Sequence, residues 1–238
     1  MKSITLNRNL IKIIALITML IDHIGYNLLN IVPYWLYITL RIIGRLSFPL
    51  FAYFIAEGFY YTRNKVRYLL TCLAFAIISQ LPHALMFGNE FKLNIMFTFV
   101  FSILIMFAYD ALYVNKPKPN KIFFVICFAL LMLFAMLTHL LVLQISFRVY
   151  GILLPFLFYV FKGSKQKQIL AFTISTLLYV LMSLTLYGFN DLYNYIGVCA
   201  LISSIFIAFY NGEKGKLNLK YLFYLFYPLH MLVLYLIF

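Results

Sequence analysis

Apolar runs of about the length that crosses a bilayer follow one another along almost the whole chain. Nine account for them: about 10–31, 36–61, 68–87, 94–114, 121–143, 147–161, 168–187, 193–210 and 219–237. The sixth is short, and the second is long enough to tilt or kink. This pattern predicts an all-α, polytopic integral membrane helical bundle of about nine transmembrane helices. Composition agrees. The chain is 65% hydrophobic and 11% charged, where soluble domains are about 45–50% apolar and about 25% charged. No stretch is long or polar enough for a separate soluble domain, so residues 1–238 read as a single transmembrane domain. Internal repeats are absent, which counts against a transporter built from duplicated halves. Lys2 and Arg8 ahead of the first run resemble a signal peptide, but the run is too long for one and no small-x-small site follows. It reads as a retained span. Cys72, Cys127 and Cys199 each lie within an apolar run, with no metal or redox spacing, and read as packing residues.

The formal charge of +13 invites a nucleic-acid reading, but the positions of the charges exclude it. Lys2, Arg8 and Lys12 stand at the N-terminal end. Arg63, Lys65 and Arg67 follow the second run; Lys116, Lys118 and Lys121 the fourth; Lys162, Lys165 and Lys167 the sixth; Lys214, Lys216 and Lys220 the eighth. With nine spans these fifteen of the nineteen basic residues fall on one side, which should be the cytoplasm. The reading is a multi-pass protein of the cell (cytoplasmic) membrane, N-terminus in and C-terminus out. Arg41, Arg45, Lys92 and Arg148 are the exceptions and fall toward the outer half.

The first run, Leu10–Tyr26, holds three groups that are costly in hydrocarbon: Lys12, Asp22 and His23. A charged side chain at a span's centre costs at least about 2.5–3.5 kcal/mol, so such residues mark function by default. Lys12 and His23 project from one helix face roughly 16 Å apart, with Met19 and Asn30 on the same stripe. Asp22 lies about 100° round and can turn toward a neighbouring helix.

Lys12, Ile13-Ile14-Ala15-Leu16, Met19 and Asp22-His23-Ile24-Gly25 resemble the opening motif of the TraX family, conjugation proteins linked to N-terminal acetylation of F-type pilin. A basic residue, ten positions and a histidine is also similar to the first helix of the wider membrane acyltransferases that O-acetylate surface glycans. Arg41-Ile-Ile-Gly-Arg45, running on through Pro49 to Glu57-Gly58, resembles the family's second motif. The segments around Ser79–His83 and Lys92–Thr98 resemble its third, and Tyr227-Pro-Leu-His230 its closing one. Ahead of Tyr150-Gly151 the family pattern implies an acidic residue, where this chain has Val149.

Acyl transfer to an amine or hydroxyl needs a base with a pKa near 7, positive charge or donors for the oxyanion, and cationic groups for the donor's phosphates. His23, with an ordinary pKa of about 6.5, suits the first. Arg41 and Arg45, one turn apart beside a carbonyl freed by Pro49, suit the second. Lys12 with the Arg63–Arg67 segment suits the third. Asp22 is expected to raise the basicity of a histidine, its own or a neighbour's. Lys12 and Glu57 fall at similar depth and are a candidate pair. His83, Asn94 and His230 fall in the outer half as candidate substrate or donor contacts. For each residue a structural alternative stays open: His23 as a packing hydrogen bond, the arginines snorkelling to headgroups, His83 and Asn94 in a wet loop, His230 in an aromatic belt. No hydrolase, phosphate-loop or metalloprotease motif occurs, and no metal is expected.

The resemblance implies an enzyme, a TraX-like transmembrane acetyltransferase. It would use acetyl-CoA as co-substrate and act on the N-terminal amine of a membrane or exported peptide such as pilin, or on a surface-glycan hydroxyl. Its partners are membrane lipid, the donor and that acceptor, with no nucleic acid; the oligomeric state stays open. The competing class is a proton-coupled transporter or channel with Asp22-His23 as relay. The basic bias makes one expectation direct. Reporter fusions after Asn64, Lys118, Lys165 and Lys216 should report cytoplasm and one after Phe238 the outside; two reversed fusions would overturn the topology.

Overall fold

Asn7 starts the first helix. Its side chain accepts the Leu10 N–H at 3.0 Å and so satisfies one of the donors a helix start leaves open. In this computed structural model, which describes residues 5–88, 92–114, 121–140, 146–189, 192–216 and 220–238, α1 then runs over Arg8–Asn27. It is followed by α2 (Tyr34–Gly44), α3 (Ser47–Tyr61), α4 (Lys65–Met86) and α5 (Ile95–Tyr109), which closes in a π turn over Asp110–Val114. Then come α6 (Lys121–Leu140), α7 (Arg148–Val160), α8 (Lys165–Tyr187), a 3₁₀ stretch Ile196–Ile202, α9 (Ser203–Phe209) and α10 (Lys220–Ile237). Among the described residues no β-sheet forms; one isolated parallel bridge joins Leu6 to Tyr210.

Each expected apolar run overlaps at least one of these helices. Among the described residues six helical spans are long and apolar enough to cross a membrane: Arg8–Asn27, Tyr34–Tyr61, Lys65–Met86, Ile95–Tyr113, Lys165–Tyr187 and Leu192–Phe209. Val125–Phe134, Arg148–Val160 and Leu222–Ile237 are shorter apolar stretches. The protein is an all-helical, multi-pass membrane protein. Its outward faces fit that medium: Leu70, Ile77 and Leu81 on α4 and Ile174, Leu178 and Leu181 on α8 are exposed, an apolar surface that lipid chains would cover.

Some boundaries differ from expectation. Helix α1 stops at Asn27, and Asn30 lies beyond it at φ 71°, a left-handed conformation that asparagine tolerates. Asn30 therefore leaves the Lys12–His23 stripe. Helix α4 runs through Pro82 to Met86, close to the expected end of the third run, and starts earlier, at Lys65. The sequence also reads Lys116–Asn120 as a turn, His139 as flanking an outer turn and Asn190-Asp191 as a helix start; that turn, the side chain of His139 and that helix start lie outside the described residues.

The chain forms two compact units: Met1–Phe51 with Phe161–Phe238, and Ala52–Val160. In the first, α1 packs on α2 and α10, and the 3₁₀ stretch packs on α2 and α8. Tyr37, Ile38 and Ile196 form one part of its core, with Tyr193 against them. The residues ahead of α1 are clasped: Leu6 donates to the Phe209 carbonyl at 2.9 Å, Asn211 to that of Leu6 at 3.0 Å, and Arg8 to that of Glu213 at 2.8 Å.

In the second unit α5 is central, packed on α4, α6 and α7, with Ile103, Ile105 and Met106 fully buried. Gly151 lets α7 approach: a Cβ there would stand 2.8 Å from Thr98 Cγ2 and 2.7 Å from the Ser146 carbonyl. Val149, where the family pattern implies an acid, packs on the Ile105–Ile152 cluster. Asp110, at the π turn, is 2% exposed and accepts from both Lys65 and the Tyr159 hydroxyl. The Lys65 ammonium also lies 4.5 Å above the Phe59 ring.

The two ends of this ion pair are not equivalent. The Lys65 side chain is 31% exposed and can turn to water; Asp110 cannot. Lys65→Met should destabilise by about 3–5 kcal/mol, the range for stranding a buried charge. Asp110→Asn, which keeps a partner for Tyr159, should cost about 1–2 kcal/mol. Thermal unfolding midpoints in one detergent should rank Lys65→Met lowest; the reverse order would mean the pair does not stabilise this unit.

Candidate active site

Two glycines bring α1 and α2 within reach of a shared ion cluster. A Cβ on Gly25 would stand 2.8 Å from Leu40 Cβ, and one on Gly44 only 2.1 Å from Asp22 Oδ1 and 2.3 Å from Asp22 Cβ. Asp22 thus lies flat against the α2 backbone. Its Oδ1 accepts from Arg45 Nη2 at 2.9 Å and its Oδ2 pairs with Arg41 Nη1 at 2.9 Å. Arg41 Nη1 also donates to the Asp22 main-chain carbonyl at 3.0 Å, and its Nη2 donates to the Tyr193 hydroxyl at 2.8 Å. Arg45 Nε donates to the Arg41 carbonyl at 3.2 Å. The rings of Tyr26 and Tyr193 stand 5.8 and 5.7 Å from the Arg41 guanidinium, a cation–π range.

The cluster holds two cations and one carboxylate, all at most 15% exposed in their side chains. At such depth an unpaired charge is costly, and the shared hydrogen bonds are what make the cluster tolerable; among the described residues Arg41 Nε is left without a hydrogen-bond partner. Asp22 does turn to the neighbouring helix. Each of its oxygens holds a guanidinium group.

The helix break beside the arginines is built from the sequence. Helix α2 ends at Gly44 and α3 begins at Ser47. Pro49 then falls in the first turn of α3, where its missing N–H is no loss. The exposed carbonyls find hydroxyls: Ser47 Oγ donates to Gly44 O at 3.0 Å and Ser203 Oγ to Leu46 O at 3.1 Å.

On its other face α1 meets α10. His23 Nδ1 lies 2.7 Å from His230 Nε2, and the two rings are parallel within 5°. His230 Nδ1 lies 2.7 Å from the Phe226 carbonyl, and the Phe226 ring stacks on the imidazole at 5.0 Å. Two turns before His230, Phe223 lies under Lys12, whose Nζ is 4.9 Å from the ring centre. The Lys12–His23 face is therefore the face that packs along α10.

The family model described as TraX protein matches residues 7–238. The chain belongs to the TraX family. It is 26% identical over 244 residues to the probable fimbrial assembly protein FimC, serogroup H1, of Dichelobacter nodosus, covering 94% of this chain and 92% of that one. No solved structure matches it.

The site candidates of this TraX-family chain do not all fall in one unit. Glu57, His83 and Asn94 belong to the second unit, whereas Lys12 belongs to the first. Asn94 is fully buried and is not in a wet loop. Its Nδ2 donates to the Ala76 carbonyl at 2.8 Å and to Gln80 Oε1 at 2.9 Å, while its Oδ1 caps Met96 N at 2.9 Å. Gln80 in turn donates to the Lys92 carbonyl at 2.8 Å. Asn94 thus joins α4 to the start of α5, and its polar atoms are committed there. His83 is buried on α4, 4.8 Å from the Phe87 ring. Lys65, in the basic segment expected to meet donor phosphates, pairs with Asp110. His230, expected as a substrate or donor contact, lies against His23. Tyr193 was not foreseen. It is one of 20 tyrosines, and no spacing marks it as the one that reaches Arg41.

Gly44 is decisive for the cluster, because an alanine methyl would occupy the place of the Asp22 carboxylate. Gly44→Ala should cost about 1–3 kcal/mol by overpacking. Gly163→Ala, with nothing within 4 Å of its Cβ, should be neutral. Equal unfolding midpoints for the two variants would show that α1 and α2 are not held this close.

Proposed function

We propose that this chain is a membrane-embedded acetyltransferase that takes acetyl from acetyl-CoA on the cytoplasmic side and passes it to an acceptor at the outer face. The observation that carries the reading is the arrangement on α1: a histidine on one face and, at the residue before it, a carboxylate holding two arginine forks. A histidine base and a preorganised positive cluster on one helix supply two of the three parts that acyl transfer requires.

In this scheme the acceptor atom attacks the thioester carbonyl carbon and His23 takes the acceptor's proton. The charge of Arg41 and Arg45 offsets the negative charge that develops on the carbonyl oxygen. The carbon–sulfur bond then breaks, and the proton passes from His23 to the leaving thiolate. Because Asp22 and Tyr193 already orient the guanidinium groups, little reorganisation is needed as charge develops. Lys12, at the other end of the same α1 face, is placed to meet donor phosphate as a point charge. The topology we assign is nine spans in the cytoplasmic membrane, N-terminus in and C-terminus out, supported by the bias of the basic residues.

The relative's description as a probable fimbrial assembly protein supports a peptide acceptor, the N-terminal amine of a pilin-like chain, over a glycan hydroxyl. A proton relay through Asp22 and His23 is disfavoured. A relay carboxylate must gain and lose a proton, and this one is bound by a guanidinium at each oxygen.

The test is purified wild type against His23→Ala and His23→Gln. Removing a general base typically costs about 10²–10⁴-fold. His23→Ala should therefore keep its membrane level and acetyl-CoA binding but lose at least about two decades of acetyl transfer or acetyl-CoA hydrolysis. Glutamine can keep a hydrogen bond but cannot act as a base. A Gln variant that turns over like wild type would make His23 a packing residue.

A further inference from the structure

The hydrogen bonds around His230 fix where the protons of both histidines sit. A carbonyl oxygen only accepts, so His230 Nδ1, 2.7 Å from Phe226 O, must carry a hydrogen. In the neutral ring Nε2 is then an acceptor. His23 Nδ1, 2.7 Å from that nitrogen, must therefore be the donor. The lone pair of neutral His23 is left on Nε2. This tautomer is assigned from the network, as it must be wherever hydrogens are not seen. The Phe226 ring, within 16° of parallel to His230 at 5.0 Å, and the Tyr227 ring at 5.8 Å limit rotation of the imidazole. His230 itself is 6% exposed.

From this geometry we infer that His230 is a positioning residue for His23: it selects the tautomer whose lone pair is on Nε2 and holds the ring in place. The inference rests on the proposed role of His23 as base. It gives His230 the task that a carboxylate or amide performs for a catalytic histidine elsewhere, here with a neutral ring suited to a hydrocarbon setting. When Nε2 takes the acceptor's proton, the Nδ1–H stays on His230 Nε2 and holds the ring in place. His230 keeps its own N–H on the Phe226 carbonyl and stays neutral. The Nε2 hydrogen then moves to the leaving thiolate, and His23 returns to its starting tautomer.

The experiment uses the full chain in detergent micelles with ¹⁵N-labelled histidine. The His23 signals are identified by their loss in His23→Gln. In wild type, neutral His23 should show the hydrogen-bearing nitrogen at Nδ1 and the lone-pair nitrogen at Nε2. Finding the hydrogen on Nε2 overturns the inference, whatever any variant does. Turnover of acetyl-CoA is then compared for His230→Leu and His230→Gln. Leucine removes the acceptor, and kcat should fall by at least about tenfold and by no more than the about 10²–10⁴-fold that a general base contributes. The donor KM should stay unchanged. Glutamine can accept from His23 Nδ1–H and should restore kcat to within about threefold of wild type, the loss expected of an intact general-base contribution. A leucine variant as fast as wild type, or a glutamine variant as slow as the leucine one, overturns the positioning role. Should His23→Ala keep full activity while the wild-type spectrum shows the assigned tautomer, the catalytic role of His23 fails and the hydrogen-bonded pair stands.

Discussion

The Asp22 carboxylate, shared between two arginines in a membrane-spanning segment, is the interaction on which the rest of the candidate site depends. Without it α2 would present two buried cations with no counter-charge. With it one positive charge remains in excess, spread over two oriented forks and screened by tyrosine rings. That residual charge is useful to a reaction that develops an anion and of little use to packing alone. The arrangement also requires close backbone approach, since an acid as short as aspartate reaches both arginines only if nothing stands between α1 and α2. Gly25 and Gly44 meet that requirement, so glycine in these two motifs has a steric cause.

The two faces of α1 divide the work. One turns to α2 and carries the ion cluster; the other turns to α10 and carries Lys12 and His23. Adjacent residues on a helix point about 100° apart, so a single Asp-His step serves two neighbours at once. This explains why an acid next to a histidine in the sequence need not be its partner in space.

Much of the helical layout was legible in the sequence, because apolar length and basic end-groups follow from the membrane itself. The stripe from Lys12 to His23 was legible from helical periodicity, and it does lie along one neighbour. Four features were not legible. His230 is 207 positions from His23, and no local pattern links them. Tyr193 looks like any other tyrosine at a helix start. Asn94 showed a polar group near a span's end, but not that Gln80 would face it and take up its hydrogen bonds. Asp110 drew no attention as a lone acid in an apolar run; Lys65, counted with the loop charges, proved to be its partner. In each case the missing information was tertiary, a pairing across many residues that depends on which helices become neighbours.

The first unit is discontinuous, made of Met1–Phe51 and Phe161–Phe238, while Ala52–Val160 is one uninterrupted piece. This sets an order of events on the ribosome. The Asp22–arginine cluster joins residues at most 23 apart, so the first hairpin can leave the translocon with much of its charge already neutralised. His23 waits for His230, and Arg41 for Tyr193, until the last third of the chain has been made. Between those moments an intact second unit can form while the catalytic candidates stay unassembled. A chain cut short by premature termination would then carry the buried charges of the site without the groups that orient them, leaving a membrane-inserted fragment that quality-control proteases can recognise.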